Sequence, residues 1–139
     1  MVLLDTHVWV WTAAADTKRV GRRTRGLIAR EARQGAVRVS PISIFELTAL
    51  HTMGRLRLAS PVASWIREVL DVSGLRITPL SPEGAVDAGA IPRDALADPI
   101  DRLLVATARQ AQATLITADE RILQYAVETS SVRVHDARS

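Results

Sequence analysis

Val2-Leu3-Leu4-Asp5-Thr6-His7 is the stretch that decides the fold: three apolar residues end at an acid, and a helical stretch from roughly His7 to Ala15 follows. A continuous apolar run this short reads as a strand buried on both faces of a parallel sheet. The strand then delivers Asp5 at its C-terminal end. Outward from it the alternation of strand and helix continues. Gly21 to Arg33 is polar and Arg-rich with a thin apolar stripe of Leu27, Ile28 and Ala32, a surface helix that Gly35 ends. Ala36 to Val39 is a second strand, Ser40-Pro41 starts a helix that runs to Met53 and closes at Gly54, and Pro61 to Val72 is another helix carrying Trp65. Leu75 to Pro79 alternates as a strand, and Ser81-Pro82-Glu83 opens a short helix. From Asp98, apolar positions Ile100, Leu103, Leu104, Thr107, Ala108 and Ala111 keep helical spacing. Thr114 to Thr117 is then a strand, Asp119 to Val127 a helix and Val132 to His135 a last strand. The expected architecture is α/β, with a central, mostly parallel, twisted sheet flanked by helices on both faces.

The chain has 139 residues, is 47% hydrophobic and 24% charged, and contains no cysteine. That length supports one domain over residues 1–139, burying about two-thirds of the unfolded surface without disulfides. Lack of cysteine excludes a thiolate metal site, an iron-sulfur cluster and a thiol nucleophile, so any metal must be held by oxygen or imidazole. Met1-Val2-Leu3-Leu4-Asp5 lacks the basic start of a secretory signal, and no apolar run reaches the length of a membrane span, so the expected location is the cytoplasm. The formal net charge is +3 and Lys18 is the only lysine. Arginine offers planar paired donors suited to phosphate, which permits nucleic acid as a partner without requiring it.

Four acids hold equivalent places in this pattern. Asp5 and Asp119 each follow an apolar strand, while Glu46 and Asp101 lie in the first turns of helices. In an open parallel sheet, strand C-termini and helix N-termini share the edge where ligands bind, so the four are expected to converge. Crowded carboxylates tolerate ionisation only with positive charge between them, and a hard cation such as Mg²⁺ or Mn²⁺ supplies it. The chemistry that follows is phosphodiester hydrolysis. Each acid also has a structural reading: Ser43-x-x-Glu46 fits a capping box, Asp98-Pro99-Ile100-Asp101 fits an Asp cap with Pro in the first turn, and Asp119-Glu120 fits a cap. Asp5 alone lacks a capping reading here. Capping explains why one acid starts a helix but not why four share one edge.

In this order, Leu3-Leu4-Asp5-Thr6-His7-Val8-Trp9-Val10-Trp11, Ser40-Pro41-Ile42-Ser43-Ile44-Phe45-Glu46-Leu47 with Gly54-Arg55-Leu56, Asp98-Pro99-Ile100-Asp101 leading into Arg102-Leu103-Leu104-Val105-Ala106-Thr107-Ala108, and Leu115-Ile116-Thr117-Ala118-Asp119 resemble PIN-domain ribonucleases. The chain looks like the toxin half of a VapBC toxin–antitoxin pair. The motifs cover nearly the whole chain and are specific only together. The resemblance implies a metal-dependent endoribonuclease cutting single-stranded or loop regions of RNA, restrained by a cognate antitoxin and assembled as a homodimer. It also implies that Asp5, Glu46, Asp101 and Asp119 bind Mg²⁺ or Mn²⁺. Asp98 is then a cap or an outer ligand, and Thr117 and Thr6 support the site. Position 7 is His where many such domains carry Asn or Ser, and His51 stands where related toxins often show Lys. The alternative is a non-catalytic PIN-fold module that binds nucleic acid.

Arg102 either holds a substrate phosphate or pairs with Asp98 or Asp101. Trp9, Trp11 and Trp65 either stack on unpaired bases or belong to the core or an oligomer interface. A phosphotransfer domain with Asp5 as nucleophile fits poorly, since it needs a positioned Lys and Lys18 stands alone.

Overall fold

Leu3 points to one face of the sheet and its neighbours Val2 and Leu4 to the other, all three at 2% exposure or less, so the first strand separates two apolar clusters. The computed structural model describes residues 1–72 and 74–139. The strands are β1 Val2–Leu4, β2 Val37–Val39, β3 Leu75–Ile77, β4 Thr114–Thr117 and β5 Val134–Asp136. The helices are α1 Thr6–Ala13, α2 Arg22–Arg33, α3 Pro41–Thr52, α4 Val62–Leu70, α5 Pro82–Ala90, α6 Pro99–Ala111 and α7 Glu120–Thr129. The sheet order is β3-β2-β1-β4-β5 and every pairing is parallel.

β1 lies at the centre, with Val2 paired to Val37 on one side and to Thr114 on the other. Chain direction across the sheet reverses there, since β2 and β3 lie to one side of β1 and β4 and β5 to the other. That is the topological switch point, and the crevice beyond the C-terminal ends of β1 and β4 is where such sheets bind ligands. On one face Val2, Leu4, Val37, Val39 and Ile116 pack with Val8 and Trp9 of α1, Leu47 of α3 and Trp65 and Val69 of α4. On the other, Leu3 and Leu115 pack with Val105 and Ala108 of α6 and Ile122 and Tyr125 of α7.

The helix ends follow local chemistry. Ser40, Ser81, Asp98 and Asp119 each accept a hydrogen bond from a backbone N–H of the helix they precede, and Pro41, Pro82 and Pro99 start theirs. Gly35 and Gly54, at φ +64 and +72, take the left-handed conformation that closes α2 and α3. β5 begins two residues later than Val132. Helix α7 continues to Thr129, Ser130 caps it at φ 51, and Leu115 pairs with Val134, so the strand runs through Asp136.

Candidate active site

Asp5 leaves β1 directly into α1 and turns out to be the N-cap of that helix, its Oδ1 accepting from Thr6 N at 2.7 Å. The sequence carried the signal, an acid ahead of an apolar helix, and the capping reading denied to Asp5 applies to it as well. Its other oxygen, Oδ2, accepts from the Thr117 hydroxyl at 2.6 Å, and that hydroxyl accepts from Asp119 N at 3.0 Å. One threonine at the end of β4 thus ties the ends of the two central strands together. Burial pushes the Asp5 carboxyl up, and the Thr117 and Thr6 hydrogen bonds oppose it.

Thr6 is fully buried and donates its hydroxyl to Ser43 Oγ at 2.9 Å. The capping box expected of Ser43 and Glu46 is therefore not formed. Ser40 caps α3 instead, because Pro41 sits in its first turn, and Ser43 lies inside the helix facing Thr6. Glu46 shares the same neighbourhood: partial burial pushes its carboxyl up, and the charges of Asp5 and Asp98 push the same way.

Asp98 caps α6 through Ile100 N at 2.8 Å, and Asp119 caps α7 through Arg121 N at 2.8 Å, with the Arg121 guanidinium at 3.5 Å. Asp101 differs from all of these. It is 6% exposed, and its Oδ2 is buried without a hydrogen-bond partner. Burial first, then the charges of Asp98, Asp119 and Asp5, push its carboxyl up to about 8, with Arg121 opposing. An uncompensated buried carboxyl beside three others is costly to keep charged.

The acids expected to converge form no cluster among the described residues, although their charges act on one another. The five carboxylates Asp5, Glu46, Asp98, Asp101 and Asp119 feel one another along the same sheet edge. Among the described residues, however, no three Asp, Glu or His side chains meet closely enough to hold one ion. Asp5, Asp98 and Asp119 are each turned toward a backbone N–H of the helix they cap. As a donor set, hard oxygens with one unpartnered buried oxygen fit a hard divalent cation.

Among the described residues Arg102 forms no ion pair with Asp98 or Asp101, and its Nε is buried without a partner. His51 closes the last turn of α3 against the Leu56 carbonyl at 3.2 Å, a structural role. The tryptophans divide. Trp9 and Trp65 are buried against each other at 5.3 Å, whereas Trp11 is half-buried and lines a cavity with Asp5, His7, Ala118 and Asp119.

Residues 2–128 match the sequence model of the PIN domain. Ribonuclease VapC22 of Mycobacterium tuberculosis is 36% identical over 123 residues, covering 87% of this chain and 88% of the relative. VapBC2 from Rickettsia felis, solved bound to a DNA fragment from their promoter, superposes with a TM-score of 0.68 at 17% identity, covering 97% of this chain and 98% of that one. FitAcB from Neisseria gonorrhoeae superposes with a TM-score of 0.64 at 23% identity, covering 99% and 98%. At those identities the two structures speak for the fold alone.

Proposed function

Since the chain belongs to the PIN-domain family, we propose that it is a metal-dependent endoribonuclease and the toxin of a type II toxin–antitoxin pair, hydrolysing phosphodiester bonds in single-stranded or loop regions of RNA. The observation that carries the reading is Asp101: a buried carboxyl with an orphaned oxygen, ringed by like charges at the switch point of a parallel sheet. The ribonuclease relative, similar over most of both chains, supports the same class of activity.

Asp5, Glu46, Asp101 and Asp119 are the residues that would hold Mg²⁺ or Mn²⁺, with Asp98 beside them. When bound, such an ion supplies the positive charge that lets these carboxylates ionise together, and it polarises water and phosphate oxygens. The chain's own part is positioning. Thr117 and Thr6 fix the Asp5 carboxylate from two sides. The N-termini of α1, α6 and α7 carry these acids at the same edge, where their partial positive charge favours an anionic phosphate. Arg102, in the first turn of α6, is assigned to hold a substrate phosphate. Attack of water on phosphorus with departure of the 3′ oxygen leaves a 5′-phosphate and a 3′-hydroxyl.

The partners in this reading are an RNA substrate, a cognate antitoxin and a second copy of the chain in a homodimer. The setting is the cytoplasm; among the described residues no helix is long and apolar enough to cross a membrane. One observation favours the non-catalytic alternative, namely that among the described residues no three acidic side chains meet at ligating distance. Cleavage decides between them. Total cellular RNA is incubated with wild type and Asp5→Ala, with Mg²⁺ or Mn²⁺ and with chelator. Wild type is expected to cut only with the ion, and Asp5→Ala to be inactive. Equal products from wild type and Asp5→Ala would overturn the enzyme reading.

A further inference from the structure

Positions 7 and 11 are one helical turn apart on α1 and share its outer face, while Trp9 lies on the opposite side, inside the core. His7 and Trp11 therefore stand together, ring centroids 5.9 Å apart and tilted by 46°. They wall a cavity of about 270 Å³, whose remaining lining is Asp5, Ala118 and Asp119. The guanidinium of Arg19 lies 5.6 Å from the Trp11 ring, held by an exposed ion pair to Asp16 at 3.6 Å. Asp16 also accepts from the backbone N–H groups of Lys18 and Arg19, which sets the loop that brings Arg19 over α1.

We propose that His7 and Trp11 form the seat for a nucleobase of the RNA, with Arg19 extending the seat toward the adjoining phosphate. The inference rests on the nuclease reading above. Its physical content is separate from the carboxylates. Two aromatic rings one turn apart, His7 exposed and Trp11 half-buried, beside the place where the scissile phosphate must lie, offer π-faces to an unpaired base, and every base has a face to stack. The neighbouring aromatic pair differs in burial: Trp9 and Trp65 are 2% and 7% exposed and lie inside the core, out of reach of a base. With Asp16 near one of its nitrogens, the Arg19 guanidinium over the indole keeps further N–H donors for a phosphate oxygen.

The test uses the full chain, in chelator so that nothing is cut, titrated with a short single-stranded RNA of randomised sequence. Indole emission is followed alongside anisotropy of the labelled RNA. Quenching is expected in wild type and absent in Trp11→Phe, which leaves only the two buried indoles. Trp11→Phe keeps an aromatic face and binds within a few-fold of wild type. Trp11→Ala binds about five- to a hundredfold more weakly and, with Mg²⁺ added, raises KM more than it lowers kcat. His7→Ala gives a smaller loss in the same direction, and melting curves establish that each variant is folded. An RNA of the same length with abasic residues is expected to bind wild type as weakly as intact RNA binds Trp11→Ala. Equal binding by wild type and Trp11→Ala, or by abasic and intact RNA, overturns the base seat and leaves the nuclease reading standing. If wild type neither binds nor cuts any RNA, the nuclease reading falls and the seat falls with it.

Discussion

Helix α6 begins with Asp98 and Asp101, which have no cationic partner among the described residues, and ends near Arg109, whose guanidinium makes four hydrogen bonds. Arg109 holds Asp87 of α5 through two parallel bonds at 3.0 and 2.7 Å and reaches the Tyr125 hydroxyl and Ser131 with its remaining arm. Fork-shaped pairing of this kind satisfies both ions and ties α5, α6 and α7 together at the edge away from the acids. At the other end Asp101 has a buried oxygen with no hydrogen-bond partner among the described residues. One helix thus separates a charge the fold has already answered from a charge left for something outside it.

Replacing Asp101 by Asn attacks the unanswered end and has the largest expected effect. Cleavage falls to background while the fold survives. The metal-free chain also loses a pH dependence. Asp101 titrates near 8 when folded against an ordinary value of 3.8, so the folded state holds its proton more tightly. Its contribution is therefore complete below about pH 4 and is lost as pH rises through 8. Urea unfolding of wild type across that window is expected to show the decline, and Asp101→Asn a flatter profile. A decline of the same size in Asp101→Asn would move its source to another group.

Arg109→Leu attacks the answered end. It leaves the half-buried Asp87 carboxylate without its cation and the buried Tyr125 hydroxyl with Ser131 alone, which costs about 1 to 3 kcal/mol. Activity per folded molecule is expected to be unchanged. A loss of cleavage without loss of stability would mean that the two ends communicate, and the contrast drawn here would break.

Asp98 sharpens the contrast, since it belongs to both categories: it caps α6 and it contributes charge to the site. Asp98→Asn keeps the cap acceptor and is expected to hold stability while lowering cleavage less than Asp5→Ala does. Asp98→Ala costs about 1 kcal/mol in addition. Identical cleavage by wild type and Asp98→Asn makes the residue a cap only.

Most of the fold is legible in the sequence because each boundary has a local chemical cause. Ser40-Pro41, Ser81-Pro82 and Asp98-Pro99 start helices where expected, and Gly35 and Gly54 end them. The run Val2-Leu3-Leu4 reads correctly as a strand buried on both faces because such a strand has no alternation to show. What fails is what depends on competition between equal local options. Two serines three apart both fit a cap, and the proline at position 41 gives the role to Ser40. The acids can be placed at one edge from topology, but their side-chain directions depend on which donor each meets first. The Arg109–Asp87 pair left no trace, since nothing local links positions 87 and 109 on two helices. Trp11 separates from Trp9 and Trp65 only once the angular position on α1 is known.

Because β1 is hydrogen-bonded on both sides and sends alternate residues into two different cores, its register is fixed by the whole molecule. A slip of one residue would exchange Leu3 for Leu4 between those cores and carry Asp5 about 3.3 Å along the strand, away from Thr117. Chemistry at the end of such a strand has no independent suspension. Repacking far from the carboxylates is felt there as misalignment, and turnover should fade during heating before the chain as a whole comes apart.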